Sequence, residues 1–239
     1  MSPEFVHRTR IKVCGLTREA DVDAAVEAGA DAIGFVLYDK SPRHVSAERA
    51  AVLARRLPPF VTPVVLLVNA TEALRQRALD AVPNALLQFH GDEAPADCAA
   101  AARPFLRAAR MAPGVDLLDF ARAFGQAQAL LVDAHVEGYG GGGQVFDWSL
   151  LPQPGVLPLP LVLSGGLTAA NVGEGIRRVR PWAVDVSSGV EVGKGLKDAV
   201  LMRQFCQAVR QADASLAQVS QVPQVARSTA APSIPAPTA

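Results

Sequence analysis

Short apolar runs rich in Val, Ile, Leu and Phe alternate along this chain with longer segments whose apolar residues recur at helical spacing. That alternation is the sequence form of repeated βα units. Eight strands are predicted, beginning near Arg10 (RIKVC), Asp31 (DAIGFV), Val61 (VTPVVLLV), Ala85 (ALLQF), Phe105 (FLRAAR), Gln128 (QALLVD), Pro160 (PLVLSG) and Trp182 (WAVDVSS). Most of the segments between them carry a helix pattern, as in Arg18 to Ala28, with Gly29 placed to end the helix. The weakest lies between the sixth and seventh strands, where Pro152, Pro154 and Pro158 leave room for only a short helix. Eight units in about 200 residues fit a closed (β/α)8 TIM barrel, a single α/β domain over residues 1–212. A doubly wound open sheet competes, but it usually has fewer strands. It also needs a crossover to the other sheet edge that evenly paced units do not require.

From about Asp213 the chain reads DASLAQVSQVPQVARSTAAPSIPAPTA, with two charges, four prolines and no aromatic residue. So little apolar surface cannot offset the entropy of ordering it, so residues 213–239 are expected to form a disordered tail. Cutting the chain after Gln211 is then expected to change neither melting temperature nor activity.

Composition narrows the function classes. Half of the 239 residues are hydrophobic and 19% are charged, which excludes disorder of the whole chain. Lysine plus arginine (23) equals aspartate plus glutamate (23), so no excess positive field is available for nucleic acid or an anionic membrane surface. Cys14, Cys98 and Cys206 are an odd number, lie far apart and form no C-x-x-C, against a disulfide framework or a thiolate zinc site. The N-terminal stretch has no apolar signal region and no uncharged apolar run of about 18 residues follows, so a cytoplasmic protein is expected.

In such a barrel the active site is built where the strands end. Cys14 ends the first strand ahead of Gly15-Leu16-Thr17, where Thr17 can cap the next helix; the cysteine is either a buried small hydrophobe or functional. Asp133 follows three apolar residues, a costly place for a carboxylate unless loop amides satisfy it or the chemistry needs it. Arg43, in the polar loop after the second strand, can clamp a carboxylate or phosphate in a fork or stand as a solvated charge. His90 can be a polar wall, a base or a satisfied histidine, and no metal-ligand spacing surrounds it. The last two strands end in Ser164-Gly165-Gly166 and Ser187-Ser188-Gly189. Paired glycine turns on adjacent closing strands point to a phosphate site of Gly165, Gly166, Ser187, Ser188 and Gly189.

Two apparent motifs are refused. Gly138 to Gly143 satisfies G-x-G-x-x-G but runs into Gln144-Val145-Phe146-Asp147-Trp148 and then prolines instead of a helix, so no nicotinamide cofactor follows. Gly189 to Lys194 falls one residue short of a P-loop and continues with Gly195, leaving a loop that could fold over a ligand.

Lys12-Val13-Cys14-Gly15-Leu16-Thr17, Gly29 to Phe35, Ser41-Pro42-Arg43, Gln88-Phe89-His90-Gly91, Asp133 ahead of Gly140 to Gly143, Phe146-Asp147-Trp148, Leu163 to Leu167 and Val184 to Glu191 together resemble the phosphoribosylanthranilate isomerase family. The resemblance runs in order from about Arg10 to Arg210. It implies an Amadori rearrangement in tryptophan biosynthesis, with Asp133 as general acid, Cys14 as general base and Arg43 as the clamp on the anthranilate carboxylate. It also implies Gln88, His90 and Asp185 as substrate-binding residues, and a monomer or homodimer acting on a small molecule. The chain departs from the family's usual pattern in its unbroken glycine run, and in Lys194 ahead of Gly195-Leu196-Lys197-Asp198 where a proline is common.

The chemistry agrees with that division. Opening a sugar ring needs a proton donor and forming an enolamine needs a proton acceptor, with no redox change and no group transferred, so neither cofactor nor metal is expected. A free cysteine, with a pKa of about 8.5, is only about 3% thiolate at pH 7, so the base needs help from its surroundings. Two other readings are a different barrel isomerase or epimerase of a sugar phosphate, and a silent barrel that binds a phospho-ligand. Epimerases of that kind depend on metal-binding histidines with paired aspartates, and His7, His44, His90 and His135 lack that arrangement.

Overall fold

The computed structural model describes residues 8–112, 114–134 and 146–220. Eight parallel strands, β1 (Arg10–Cys14), β2 (Ala32–Val36), β3 (Thr62–Leu67), β4 (Leu86–Phe89), β5 (Phe105–Met111), β6 (Ala129–Ala134), β7 (Leu161–Leu163) and β8 (Ala183–Val186), pair in sequence order. β8 then pairs with β1, Arg10 opposite Ala183 and Lys12 opposite Asp185, which closes the barrel. The open-sheet alternative is thereby excluded. Each strand begins within one residue of its expected place, Arg10 and Phe105 at it and the other six one position later.

Helices α1 (Glu19–Ala28), α2 (Ala47–Ala54), α3 (Glu72–Ala81), α4 (Pro95–Ala99), α5 (Leu117–Ala123), α6 (Val172–Val179) and α7 (Ala199–Ser220) lie outside the barrel. Local chemistry sets their ends. Ser46 Oγ accepts from Arg49 N at 3.1 Å to start α2, and Asp198 Oδ1 accepts from Val200 N and Leu201 N to start α7. In α6, Val172, Gly175, Ile176 and Val179 are buried, the i, i+3, i+4, i+7 stripe of a helix laid on a sheet. Between β6 and β7 the described residues form only a 3-10 turn, Trp148–Leu150, as the prolines predict.

Three expectations are corrected. Thr17 does not cap α1: its N-cap is Arg18, which makes no side-chain cap bond, and Thr17 Oγ1 donates instead to Gly195 O at 3.4 Å. The Gly189–Lys194 loop is part of a hairpin, β9 (Glu191–Gly193) against β10 (Leu196–Lys197). And the chain does not leave the fold at Asp213. Helix α7 runs on to Ser220, Asp213 accepts from Thr9 N at 2.8 Å and Thr9 Oγ1 at 2.7 Å, and Leu216 packs on the core. Two polar residues 204 apart in sequence thus tie the last helix to the entrance of β1, a long-range pairing that composition does not display. The rest of the expected tail, residues 221–239, and the glycine run 138–143 lie outside the described residues.

Along each strand, side chains alternate between the helices and the barrel interior. Toward the strands' N-terminal ends the interior is filled by Val64, Leu106, Ala108, Ala129, Leu131, Val162 and Ala183, a packed apolar layer. The next interior positions are Lys12, Gln88, Asp133 and Asp185, all buried. The polar site stands on that apolar floor.

Candidate active site

Because all the strands are parallel, Cys14, His90, Asp133, Ser164, Asp185 and Ser187 share one end of the barrel, with Arg43 brought over it by the loop after β2. Cys14, Arg43, His90, Asp133 and Asp185 are all buried although they are polar or reactive. Burial of such groups is unfavourable unless they are paired or used.

Cys14 occupies the interior at the end of β1, opposite Gly34 of β2. A Cβ on Gly34 would fall 2.6 Å from the Cys14 Sγ, so the thiol fills the space that a side chain there would take. Burial pushes the Cys14 thiol above its ordinary value, and the Lys12 ammonium opposes that rise. Ser187 Oγ donates to the Cys14 carbonyl at 3.0 Å, fixing the end of β1 against the loop after β8.

Asp133 Oδ1 accepts from the Ala134 amide at 2.9 Å, and Oδ2 lies 3.3 Å from His90 Nε2. Gln88 Nε2 is 3.0 Å from His90 Nδ1; with Gln88 donating, the ring proton sits on Nε2 and faces the carboxylate. The Nε2 contact is close but not aligned as a hydrogen bond, and Gln88 Oε1 and His90 Nε2 are both buried without a hydrogen-bond partner among the described residues. Unsatisfied polar atoms beside a carboxylate at a barrel mouth are groups available to a polar ligand.

Arg43 forms a fork with Glu191: Nε donates to Oε1 and Nη2 to Oε2, each at 2.8 Å. Lys197 Nζ donates to Glu191 Oε1 at 2.7 Å, to Ser187 O at 3.0 Å and to Ser187 Oγ at 3.2 Å. Burial opposes the Glu191 charge, but the two cations outweigh it and hold this carboxyl below the usual carboxylate range; burial in turn lowers Lys197. The fork leaves Nη1 of Arg43 outside the Glu191 pair, so one edge of the guanidinium is locked and another can meet a ligand.

The two glycine turns meet directly. Gly165 and Gly166 take φ of 84° and 61°, and a Cβ on Gly189 would fall 1.9 Å from the Leu167 carbonyl oxygen. Only a residue without a side chain lets the loop after β8 lie against the loop after β7. Ser188 opens the one-turn 3-10 helix Ser188–Val190 at that junction. The turns thus gather backbone at one place on the rim, as an anion site requires.

All the sequence-derived candidates therefore lie on one rim. Asp185, expected beside substrate, has its carboxylate engaged by Lys12 Nζ at 2.8 Å and by Ser164 Oγ at 3.4 Å. Sequence reasoning missed Lys12, Ser164, Glu191 and Lys197. Lys12 carried a signal: a lysine two positions before a strand-ending cysteine must face the same way into the barrel. Glu191 and Lys197 carried none, because their meeting depends on the β9–β10 hairpin folding back over Arg43. Among the described residues no group of three or more His, Cys, Asp or Glu side chains is placed to share a metal ion, and no helix is long and apolar enough to cross a membrane.

The family model described as N-(5'phosphoribosyl)anthranilate (PRA) isomerase matches residues 11–208. A Leptothrix cholodnii protein named N-(5'-phosphoribosyl)anthranilate isomerase is 70% identical over 207 residues, covering 87% of this chain and 93% of its own length. One of the same name from Methylibium petroleiphilum is 70% identical over 210 residues, 88% of this chain and 98% of its own. Among solved structures, phosphoribosyl anthranilate isomerase from Thermotoga maritima superposes with TM-score 0.74 at 38% identity, covering 85% of this chain and 99% of its own. Another structure of phosphoribosyl anthranilate isomerase, in complex with reduced 1-(o-carboxyphenylamino)-1-deoxyribulose 5-phosphate, gives 0.71 at 36% identity, with coverage of 85% and 99%.

Proposed function

The chain belongs to the phosphoribosylanthranilate isomerase family, and from that premise we infer how its residues divide the work of the family's reaction. That reaction is the Amadori rearrangement of N-(5′-phosphoribosyl)anthranilate to 1-(2-carboxyphenylamino)-1-deoxyribulose 5-phosphate in tryptophan biosynthesis. Asp133, as the acid, gives its proton to the ribose ring oxygen while the anilino nitrogen lone pair moves toward C1′ and the C1′–O bond breaks, leaving a protonated Schiff base. Cys14, as thiolate, takes the C2′ proton, and the C–H electrons neutralise the Schiff base to an enolamine. Protonation of C1′ with loss of the proton from the C2′ hydroxyl then gives the ketone. Atoms and electrons balance without any outside oxidant or reductant.

The observation that carries this reading is the placement of a buried thiol and a buried carboxylate at the same end of one closed barrel, over an apolar floor and under a guanidinium. Arg43 binds the anthranilate carboxylate through the edge that Glu191 leaves open. Gln88 and His90 face the sugar beside Asp133, and Gly165, Gly166, Ser187, Ser188 and Gly189 hold the phosphate. One chain carries every residue named, so a monomer or a homodimer suffices, and the cytoplasm is the setting that fits a small-molecule biosynthetic reaction. The test is a fluorescence assay with a chelator present. Purified protein should quench phosphoribosylanthranilate emission with first-order decay at rates proportional to enzyme, and inorganic phosphate should inhibit competitively. Emission that decays no faster than in buffer would end the reading.

A further inference from the structure

We propose that Lys12, held by Asp185, is a positioning residue that keeps the Cys14 thiol usable as a base. The inference rests on the assignment of Cys14 as base and extends it to the group that sustains it.

Lys12 and Cys14 are two residues apart on β1 and therefore face the same way, into the barrel. The closing pair of strands puts Lys12 directly opposite Asp185, and the two side chains meet at 2.8 Å with exposures of 5% and 6%. Desolvating two charges is costly, and an apolar pair of the same volume usually packs as well or better. Directly below them the same barrel is filled by such apolar residues, Ala183 of β8 among them. Closure of β1 on β8 therefore does not require an ion pair at this level, and its position next to the candidate base supplies a reason for one.

Among the described residues, charged groups that bear on Cys14 are Lys12 on its own strand, Asp185 on β8, Lys197 on β10 and Arg43 in the loop after β2. Asp185 disfavours a thiolate and the three cations favour it. They are not equally free to do so. The three donors of Lys197 meet Ser187 O, Ser187 Oγ and Glu191 Oε1, and Arg43 is turned into its fork with Glu191. Lys12 spends one donor on Asp185, and its ammonium also interacts with the Cys14 side chain. A buried lysine tends to lose its proton. Here burial is outweighed by Asp185, with the Cys14 side contributing in the same sense, and Lys12 is held well above its ordinary value. Asp185 thus keeps Lys12 charged, Ser164 steadies Asp185 from the far side, and Lys12 offsets part of the burial that works against the thiolate.

The test reads the thiol itself. Iodoacetamide alkylation of the peptide bearing Cys14, quantified by mass spectrometry across pH, reports the thiolate fraction independently of turnover. In Lys12→Gln the alkylation midpoint should rise by about one unit, a roughly tenfold slower reaction on the acidic side, and the acidic limb of kcat/KM should move with it while KM stays within about twofold. Lys12→Arg, which keeps the charge, should bring the midpoint most of the way back. A folded Lys12→Gln protein with an unmoved midpoint overturns the proposal. If Lys12→Gln fails to fold, having stranded the buried Asp185, the Lys12→Met/Asp185→Asn double variant removes both charges at closely matched volume. Its midpoint should still rise, and an unmoved one overturns the proposal equally. Cys14→Ser with near-normal turnover would instead end the base assignment while leaving the alkylation result standing, so the two failures are distinguishable.

Discussion

One interior position along a strand separates two different materials inside this barrel. On β6 it is the step from Leu131 to Asp133, on β8 from Ala183 to Asp185, and on β4 from Leu86 to Gln88. Below the step the lumen is an apolar layer in which Leu131 is fully buried among Val64, Leu106, Ala108 and Val162. Above it, beside the apolar Leu66 and Val68, equally buried charged side chains appear and are held by specific partners: Lys12 by Asp185, Arg43 by Glu191 and Asp133 by the Ala134 amide. The contrast separates two uses of burial. The floor gains free energy from it, whereas the rim gives some up to keep reactive groups dry and oriented.

The largest expected effects fall on the rim and should be kinetic. Cys14→Ser keeps the shape of the side chain but weakens the base, and Asp133→Asn keeps the size but removes the transferable proton. Each should lower kcat by about 10²–10⁴-fold with KM little changed, since each group acts in a transition state and neither mainly binds. Differential scanning calorimetry should find both variants as stable as the parent or more so. A rim variant that loses stability and KM together with kcat would erase the distinction between rim and floor. The acidic limb of wild-type kcat/KM carries its own sign. Burial raises the Cys14 thiol, so activity should climb with pH through and beyond the ordinary thiol range instead of levelling at neutrality.

On the floor the expectation reverses. Leu131→Ala removes a fully buried side chain from the apolar layer and should destabilise by about 2–5 kcal/mol, read as a lowered urea midpoint. Below the unfolding transition its kcat should stay within about twofold, because its neighbour Asp133 is anchored by its own amide contact. A hundredfold loss of kcat in the folded protein would show that the site depends on the packing beneath it.

The two regions also differed in how far they could be read from sequence. The floor is written in β-strand alternation, and its strands start within one residue of expectation because each is a local apolar run. Cys14 and Asp133 were legible because a reactive residue that ends an apolar run breaks the pattern. The partners were not. Lys12 meets Asp185 across 173 residues and Arg43 meets Glu191 across 148, so their pairing exists only once the barrel is closed and the β9–β10 hairpin is folded. The pairing of Thr9 with Asp213 failed in the same way, which is why the helix was expected to end too soon.

A smaller effect tests whether the hairpin belongs to the rim. Arg43→Ala should raise KM by about tenfold or more, as loss of a carboxylate clamp costs ground state and transition state alike. Glu191→Gln should raise KM less, because the guanidinium remains but loses its charged anchor. Burial works against the Glu191 charge, yet Arg43 and Lys197 hold its pKa below the ordinary carboxylate value. The pair should therefore persist as pH falls through the ordinary carboxylate range and be lost only beneath it, so the ratio of the Glu191→Gln KM to the wild-type KM should hold constant down through that range. A KM that Glu191→Gln leaves untouched would detach the hairpin from substrate binding.

The smallest effects concern the chain's C-terminal end and compare two cuts. A cut after Gln211 removes Ala212, which is 3% exposed, the Asp213 carboxylate that accepts both Thr9 bonds, and Leu216. Thr9 directly precedes β1, so this cut should loosen the strand that carries Lys12 and Cys14, and lower the melting temperature by several degrees. Asp213→Asn isolates the polar part. It keeps one acceptor but loses the charge, and should cost about 1.5–3 kcal/mol, the usual range for a hydrogen bond to a charged group. A cut after Ser220 removes QVPQVARSTAAPSIPAPTA, with a single charge and no aromatic residue, and should change neither melting temperature nor kcat. Equal melting curves for the two cuts would mean that Asp213 and Leu216 contribute nothing. A loss from the second cut would mean that the proline-bearing end packs on the barrel after all.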